Sequence, residues 1–138
     1  MKTPYILTVE NDEDDQYITR QFFSEHSVDT AMCVDGDEMI QYLRECVAGK
    51  APLPAVILLD YHLTPRSAVE VIKVIRRDSA FAHIPIVVLS GTKSGEIVKE
   101  CYRCGANSFI QKPSSVQDID RKVSSFLTYW LHTVELAD

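Results

Sequence analysis

An α/β fold is what this sequence predicts: a three-layer, doubly wound (βα)5 sandwich around a parallel five-stranded sheet. Three observations lead there. Short apolar runs alternate strictly with longer segments of helical spacing, two of the runs are continuously apolar, and capping signals stand where helices should start.

The elements follow in order. Tyr5–Val9 is short, apolar and partly β-branched, as a strand should be, and Ile18 and Phe22 then mark a first helix. Thr30–Val34 leads into a second helix, marked by Ile40, Leu43 and Val47. Asp35 and Glu38 have capping-box spacing at its start, where side chains satisfy orphan amides. Ala55–Leu59 and Ile84–Leu89 are apolar without interruption, which fits strands covered on both faces. Between them Val71, Ile72 and Ile75 mark a third helix, opened by Ser67 with Glu70. Ile97, Val98 and Cys101 mark the fourth, and Gly105 stands where a left-handed cap would end it. Ser108–Ile110 is the last strand. Ser114 with Gln117 opens the last helix, whose stripe of Val116, Ile119, Val123, Phe126 or Leu127, Trp130 and Val134 is the clearest. Strict alternation implies right-handed crossovers, hence parallel strands with helices on both faces.

The 138 residues make one domain, residues 1–138 with a core over about 4–134. A formal charge of −6 argues against nucleic acid and anionic membranes as partners, since both need a basic face. No apolar run approaches the ~20 residues that span a bilayer. The start, MKTPYILTVE, lacks the pattern of a signal peptide, so a cytoplasmic protein is expected. Cys101-Tyr-Arg-Cys104 is a CxxC without a second pair for zinc, and it lies inside a helical segment, whereas redox CxxC motifs open one. With Cys33 and Cys46, these cysteines read as buried or idle thiols. His26, His62, His83 and His132 show no metal-ligand spacing.

In a doubly wound sheet the ligand site lies beyond the carboxyl ends of the strands. Glu10-Asn11-Asp12 follows the first strand, Asp60 the third, Ser90 the fourth and Lys112 the fifth. Each has an ordinary reading alone. The acidic run NDEDD favours a helix N-terminus by its charge, Asp60 caps a loop, Ser90 starts a turn, and Lys112 is a solvated lysine. Together they are the inventory for magnesium-assisted phosphoryl transfer to a carboxylate. The metal takes hard oxygen ligands, a cation and a hydroxyl neutralise and hydrogen-bond the phosphoryl oxygens, and the carboxylate attacks.

These segments resemble the receiver domain of two-component response regulators over nearly the whole chain. YILTVENDEDD is similar to the family's first strand and acidic loop, and VILLDYHLTPRSAVEVIKVIR to its phosphoacceptor strand and third helix. IPIVVLSGT and GANSFIQKP are similar to its fourth and fifth strands. The closest likeness is to the single-domain, chemotaxis-regulator-like subgroup. The resemblance implies a flavodoxin-like strand order, 2-1-3-4-5. It implies that Asp60 accepts a phosphoryl group from a sensor histidine kinase or phosphotransfer protein. Glu10, Asn11, Asp60 and the backbone carbonyl of His62 would hold Mg2+, with Asp12 as a further candidate. Ser90 and Lys112 would bind the phosphoryl group, Ser90 and Phe109 would switch conformation, and the Lys112–Pro113 bond would be cis. The chain would then signal, through its fourth helix, fifth strand and fifth helix, to a downstream protein target, and that face would offer a homodimer contact. On this reading the protein is a phosphoacceptor with autophosphotransfer and autodephosphorylation chemistry only, and not an enzyme.

The chain departs from the family pattern in three places. Asn11 stands where a carboxylate is usual; its amide oxygen can ligate magnesium but carries no charge. Thr64, Pro65, Ser67 and Ala68 replace the usual Pro-x-x-Asp-Gly, and Phe109 lacks the hydroxyl of the commoner tyrosine. The alternative function is a pseudo-receiver, the same fold acting as a constitutive interaction module independent of phosphorylation. An aspartate-nucleophile phosphatase is disfavoured because position 62 is histidine where such an enzyme needs a second aspartate.

Overall fold

The expected apolar runs become strands and the periodic segments become helices in the computed structural model, which describes residues 3–92, 94–113 and 115–137. In chain order the elements are β1 (Tyr5–Val9), α1 (Glu13–Glu25), β2 (Asp29–Cys33), α2 (Gly36–Val47) and β3 (Val56–Asp60). Then come α3 (Ala68–Arg77), β4 (Ile86–Ser90), α4 (Gly95–Cys104), β5 (Ser108–Gln111) and α5 (Val116–His132). The strands form one parallel sheet of five in the order β2-β1-β3-β4-β5. The doubly wound architecture is therefore as predicted, with β1 and β3 meeting at the point where the strand order reverses.

The pleat explains why the central strands are apolar throughout. Leu7, Val9, Ile57, Leu59, Ile86 and Val88 join a core with Met39, Leu43, Ile72, Ile75 and Cys101 from α2, α3 and α4. Their neighbours Ile6, Val56, Leu58 and Val87 face the other way, onto Phe23 of α1 and Phe126 and Leu127 of α5. Both faces of the sheet are covered, so every residue of β3 is buried, Asp60 included. Each fully buried Leu or Ile contributes about 1.5–3 kcal/mol by leaving water.

Differences from expectation are local. Asp60 is the last residue of β3, paired with Leu89, and does not lie beyond it, because the ladder continues through Tyr61 N–H to Leu89 O at 2.9 Å. Strand β4 starts at Ile86, since Pro85 has no amide to donate and Ile84 N–H closes a turn onto Phe81 O at 3.2 Å. Asp35 and Ser67 cap α2 and α3 as expected, accepting from Glu38 N and Glu70 N. Ser115 caps α5, accepting from Asp118 N, while Ser114 lies outside the described residues. Val134 falls beyond the end of α5, and Trp130 and Leu131 pack partly buried against its core. The cis bond expected at Lys112–Pro113 falls instead at Thr64–Pro65. Gly105 ends α4 at φ 119°, left-handed as expected.

One glycine permits a close approach. At the first residue of α2, a Cβ on Gly36 would collide with Val71 Cγ2 of α3. Gly36→Ala is expected to destabilise the fold by about 1–3 kcal/mol, since a packed core resists the added volume. Chemical denaturation against wild type measures this, and an unchanged midpoint would show that α2 and α3 separate freely.

The thiols of Cys33, Cys46 and Cys101 are buried and that of Cys104 half-buried, and all are free. Burial pushes the Cys101 thiol up to about 11, which suits packing and not nucleophilic chemistry. Among the described residues no helix is long and apolar enough to cross a membrane.

Candidate phosphoacceptor site

The strand ends bring Glu10, Asp60 and Lys112 together. Glu10 continues β1 past its last sheet residue, its amide bonding Cys33 O at 3.1 Å, and its side chain is buried beneath the loop to α1. Asp60 ends the central strand. Lys112 follows β5, held by its amide to Ser90 O at 2.7 Å. Its stem therefore reaches back across β4 and β3, and its Nζ donates to Asp60 Oδ2 at 2.9 Å and Glu10 Oε2 at 3.3 Å.

A fourth group joins them that strand-end reasoning missed. Asp15 Oδ2 accepts from Lys112 Nζ at 2.7 Å, shorter than either of the other two contacts. Asp15 lies in the first turn of α1, among Glu13 and Asp14. Its sequence signal is the acidic run itself, which equally describes a helix N-terminus stabilised by charge. Oxygen atoms of Glu10, Asp15 and Asp60 lie within 4.8 Å of one another.

Asn11 and Asp12 are placed differently from expectation. The Asn11 amide is a strut between two loops: its Oδ1 accepts from Thr64 N at 3.0 Å, and its Nδ2 donates to Val34 O. Asp12 is the N-cap of α1, and its Oδ1 accepts from Asp14 N at 2.8 Å and Asp15 N at 3.1 Å. Neither side chain joins the carboxylates around Lys112.

The remaining expected residues are His62, Ser90 and Phe109. The His62 amide donates to Asp60 Oδ1 at 2.8 Å, and its ring Nε2 lies 3.5 Å from Thr92 Oγ1. Ser90 is fully buried, with Oγ donating to Thr92 O at 2.8 Å and accepting from Thr92 N at 3.1 Å. Phe109, opposite Val88 on the edge strand, is half-buried against the core.

Electrostatically the site is one coupled unit. Burial, together with the hydrogen bond to Asp60, pushes the Glu10 carboxyl up to about 8, against the pull of Asp12 N–H and Lys112. Burial alone would raise Asp60 as well. Hydrogen bonds from Glu10, Lys112 and His62 outweigh that and hold it below the ordinary carboxylate range. The two shifts run in opposite directions, favouring the proton on Glu10 and the charge on Asp60. Burial opposes the charge on Lys112, but its bonds to Asp15 and Asp60 prevail and raise its pKa above the usual lysine value. A buried carboxylate biased toward its ionised form, facing a lysine ammonium, is what the site offers chemically. Its oxygen donors suit a hard divalent cation, and the lysine ammonium already among them shows that the cluster accommodates positive charge.

Comparison with known proteins agrees with this geometry. Residues 6–124 match the family described as the response regulator receiver domain. The probable methanogenesis regulatory protein FilR2 of Methanothrix harundinacea is 35 % identical over 97 residues, which is 70 % of this chain but only 63 % of FilR2. The response regulator Rcp1 of Synechocystis is 26 % identical over 95 % of this chain and 91 % of its own length. The crystal structure of the Mn(2+)-bound form of Rcp1 superposes with a TM-score of 0.83, covering 98 % of this chain and 99 % of Rcp1. The phosphorylated cyanobacterial phytochrome response regulator RcpA superposes at 0.89, 26 % identical, over 99 % of this chain and all of RcpA's (100 %).

Proposed function

Because the chain belongs to the response regulator receiver domain family, we propose that Asp60 is its phosphoacceptor, fed by a sensor histidine kinase or phosphotransfer protein. The observation that carries this reading is the buried Asp60 at the end of the central strand with Lys112 Nζ 2.9 Å away. An Asp60 oxygen attacks phosphorus, the P–N bond to the donor's phosphohistidine breaks, and its electron pair leaves on the imidazole. Lys112 neutralises charge on the transferred oxygens and holds the acceptor carboxylate in place. Glu10, Asp60 and the backbone carbonyl of His62 are the proposed holders of Mg2+, which when bound neutralises further phosphoryl charge.

Signalling follows from what the phosphoryl group would draw inward. Ser90 Oγ, now satisfied by Thr92, turns to a phosphoryl oxygen, and Phe109 repacks beside it. The α4-β5-α5 face changes shape, a local charge event biasing a two-state element toward a protein target or a second copy of the chain. Receiver domains are signalling modules and not enzymes in the ordinary sense, and the transfer to and loss from Asp60 is the chemistry proposed here.

The Asn11 strut favours one competing reading, a constitutive interaction module without metal-dependent phosphorylation. Beryllofluoride with millimolar Mg2+ separates the two. The phosphoacceptor reading expects a saturable change in Trp130 fluorescence, absent in Asp60→Ala. No response in wild type, with a response restored in Asn11→Asp, would establish the constitutive module instead.

A further inference from the structure

The residue at position 11 carries no charge, and its amide is committed to Thr64 N and Val34 O. One turn along, Asp15 supplies a carboxylate to the same cluster. We propose that Asp15 is the metal-binding carboxylate that position 11 lacks, completing with Glu10 and Asp60 a three-carboxylate site for a divalent cation. This inference rests on the receiver reading above.

Helix geometry puts Asp15 there. Asp12 caps α1, so Asp15 is the third helical residue, and side chains on a helix lean toward its N-terminus. Here that direction points back over the carboxyl ends of β1 and β3. The neighbouring Glu13 and Asp14 are exposed and outside the cluster. The three carboxylates lie within 4.8 Å of one another, and opposite ligands of magnesium are about 4 Å apart, so small side-chain rotations suffice. The same carboxylate also has a second duty. Asp15 now grips Lys112 at 2.7 Å, and turning it to a cation releases the ammonium toward the phosphoryl oxygens. Cation uptake and readiness for phosphoryl transfer are thereby tied to one side chain.

Calorimetric titration of the intact chain with Mg2+ tests this without any phosphoryl donor. Asp15→Asn is expected to weaken binding by roughly tenfold or more, and Asp14→Asn, losing the same charge one residue away, by less than about threefold. Adding Asn11→Asp to Asp15→Asn is expected to bring affinity back to within about threefold of wild type, which also shows that the variant folds. The loss should persist in a Lys112→Met background. Wild-type affinity in Asp15→Asn, an equal loss in Asp14→Asn, or a loss that vanishes without Lys112 would overturn the assignment of Asp15 and leave the receiver reading standing. A wild-type chain that takes up no Mg2+ would instead overturn the metal-dependent reading itself.

Discussion

Lys112→Met is expected to cost the metal-free protein about 3 kcal/mol of folding stability, with most of it regained in millimolar magnesium. The ammonium contacts three carboxyl groups, and the side chains of two, Glu10 and Asp60, are only 9 % and 4 % exposed. Removing the cation leaves Asp60 buried and charged with no counterion, the situation in which breaking an ion pair is costly. The pair with Asp15, whose side chain is 39 % exposed, adds little because solvent already screens it. Methionine keeps the apolar stem, so lost packing is not the cause. Urea unfolding in chelator and in excess Mg2+ measures both halves. A small loss, or one that magnesium does not reverse, would mean that the cluster does not carry its charge in the way described.

The metal-free protein should also lose stability as pH rises from about 4.5 toward about 8, and Glu10→Gln should flatten that slope. The sign follows from proton binding. The folded Glu10 keeps its proton up to about 8, whereas the unfolded chain releases it near 4.5, so folding is favoured most below 4.5 and the advantage is gone above 8. One proton limits the slope to about 1.4 kcal/mol per pH unit. Asp60 works in the opposite sense at lower pH. Its folded pKa is depressed, so its contribution is present above the ordinary carboxylate range and is lost as pH falls through the depressed value. Together they place the stability maximum of the metal-free protein in weakly acidic solution. Thermal unfolding in chelator across this range reads the curve, and a Glu10→Gln variant as steep as wild type would contradict it.

How much of this was legible beforehand depends on the range of the contacts. Strand and helix periodicity is a local property, so the sheet and its layers follow from the apolar runs and their caps. Glu10, Asp60 and Lys112 were legible because a parallel sheet brings the ends of its strands to one edge, wherever they lie in the chain. Asp15 was hidden, because an acidic first turn has a sufficient local explanation and only the fold shows Lys112 reaching it. The direction of the Asn11 amide depends on the loops after β2 and β3 approaching each other, a contact that no local pattern encodes. Arg76 is similar: it donates to the carbonyls of Gly105, Ala82 and Ile84 and to Asn107 Oδ1, tying α3 to the connection before β4 and to the turn between α4 and β5. In sequence it is one basic residue in the last turn of a helix.

The central claim is that the carboxylate ending VILLD is the acceptor. Incubating the chain with acetyl phosphate and Mg2+, then locating the modification by mass spectrometry of the intact protein and its peptides, tests it most directly. A single base-labile, hydroxylamine-labile phosphoryl group is expected on the peptide containing Asp60, dependent on magnesium and absent in Asp60→Ala. A phosphoryl group that persists in Asp60→Ala, or a wild-type chain that takes up none, would contradict it.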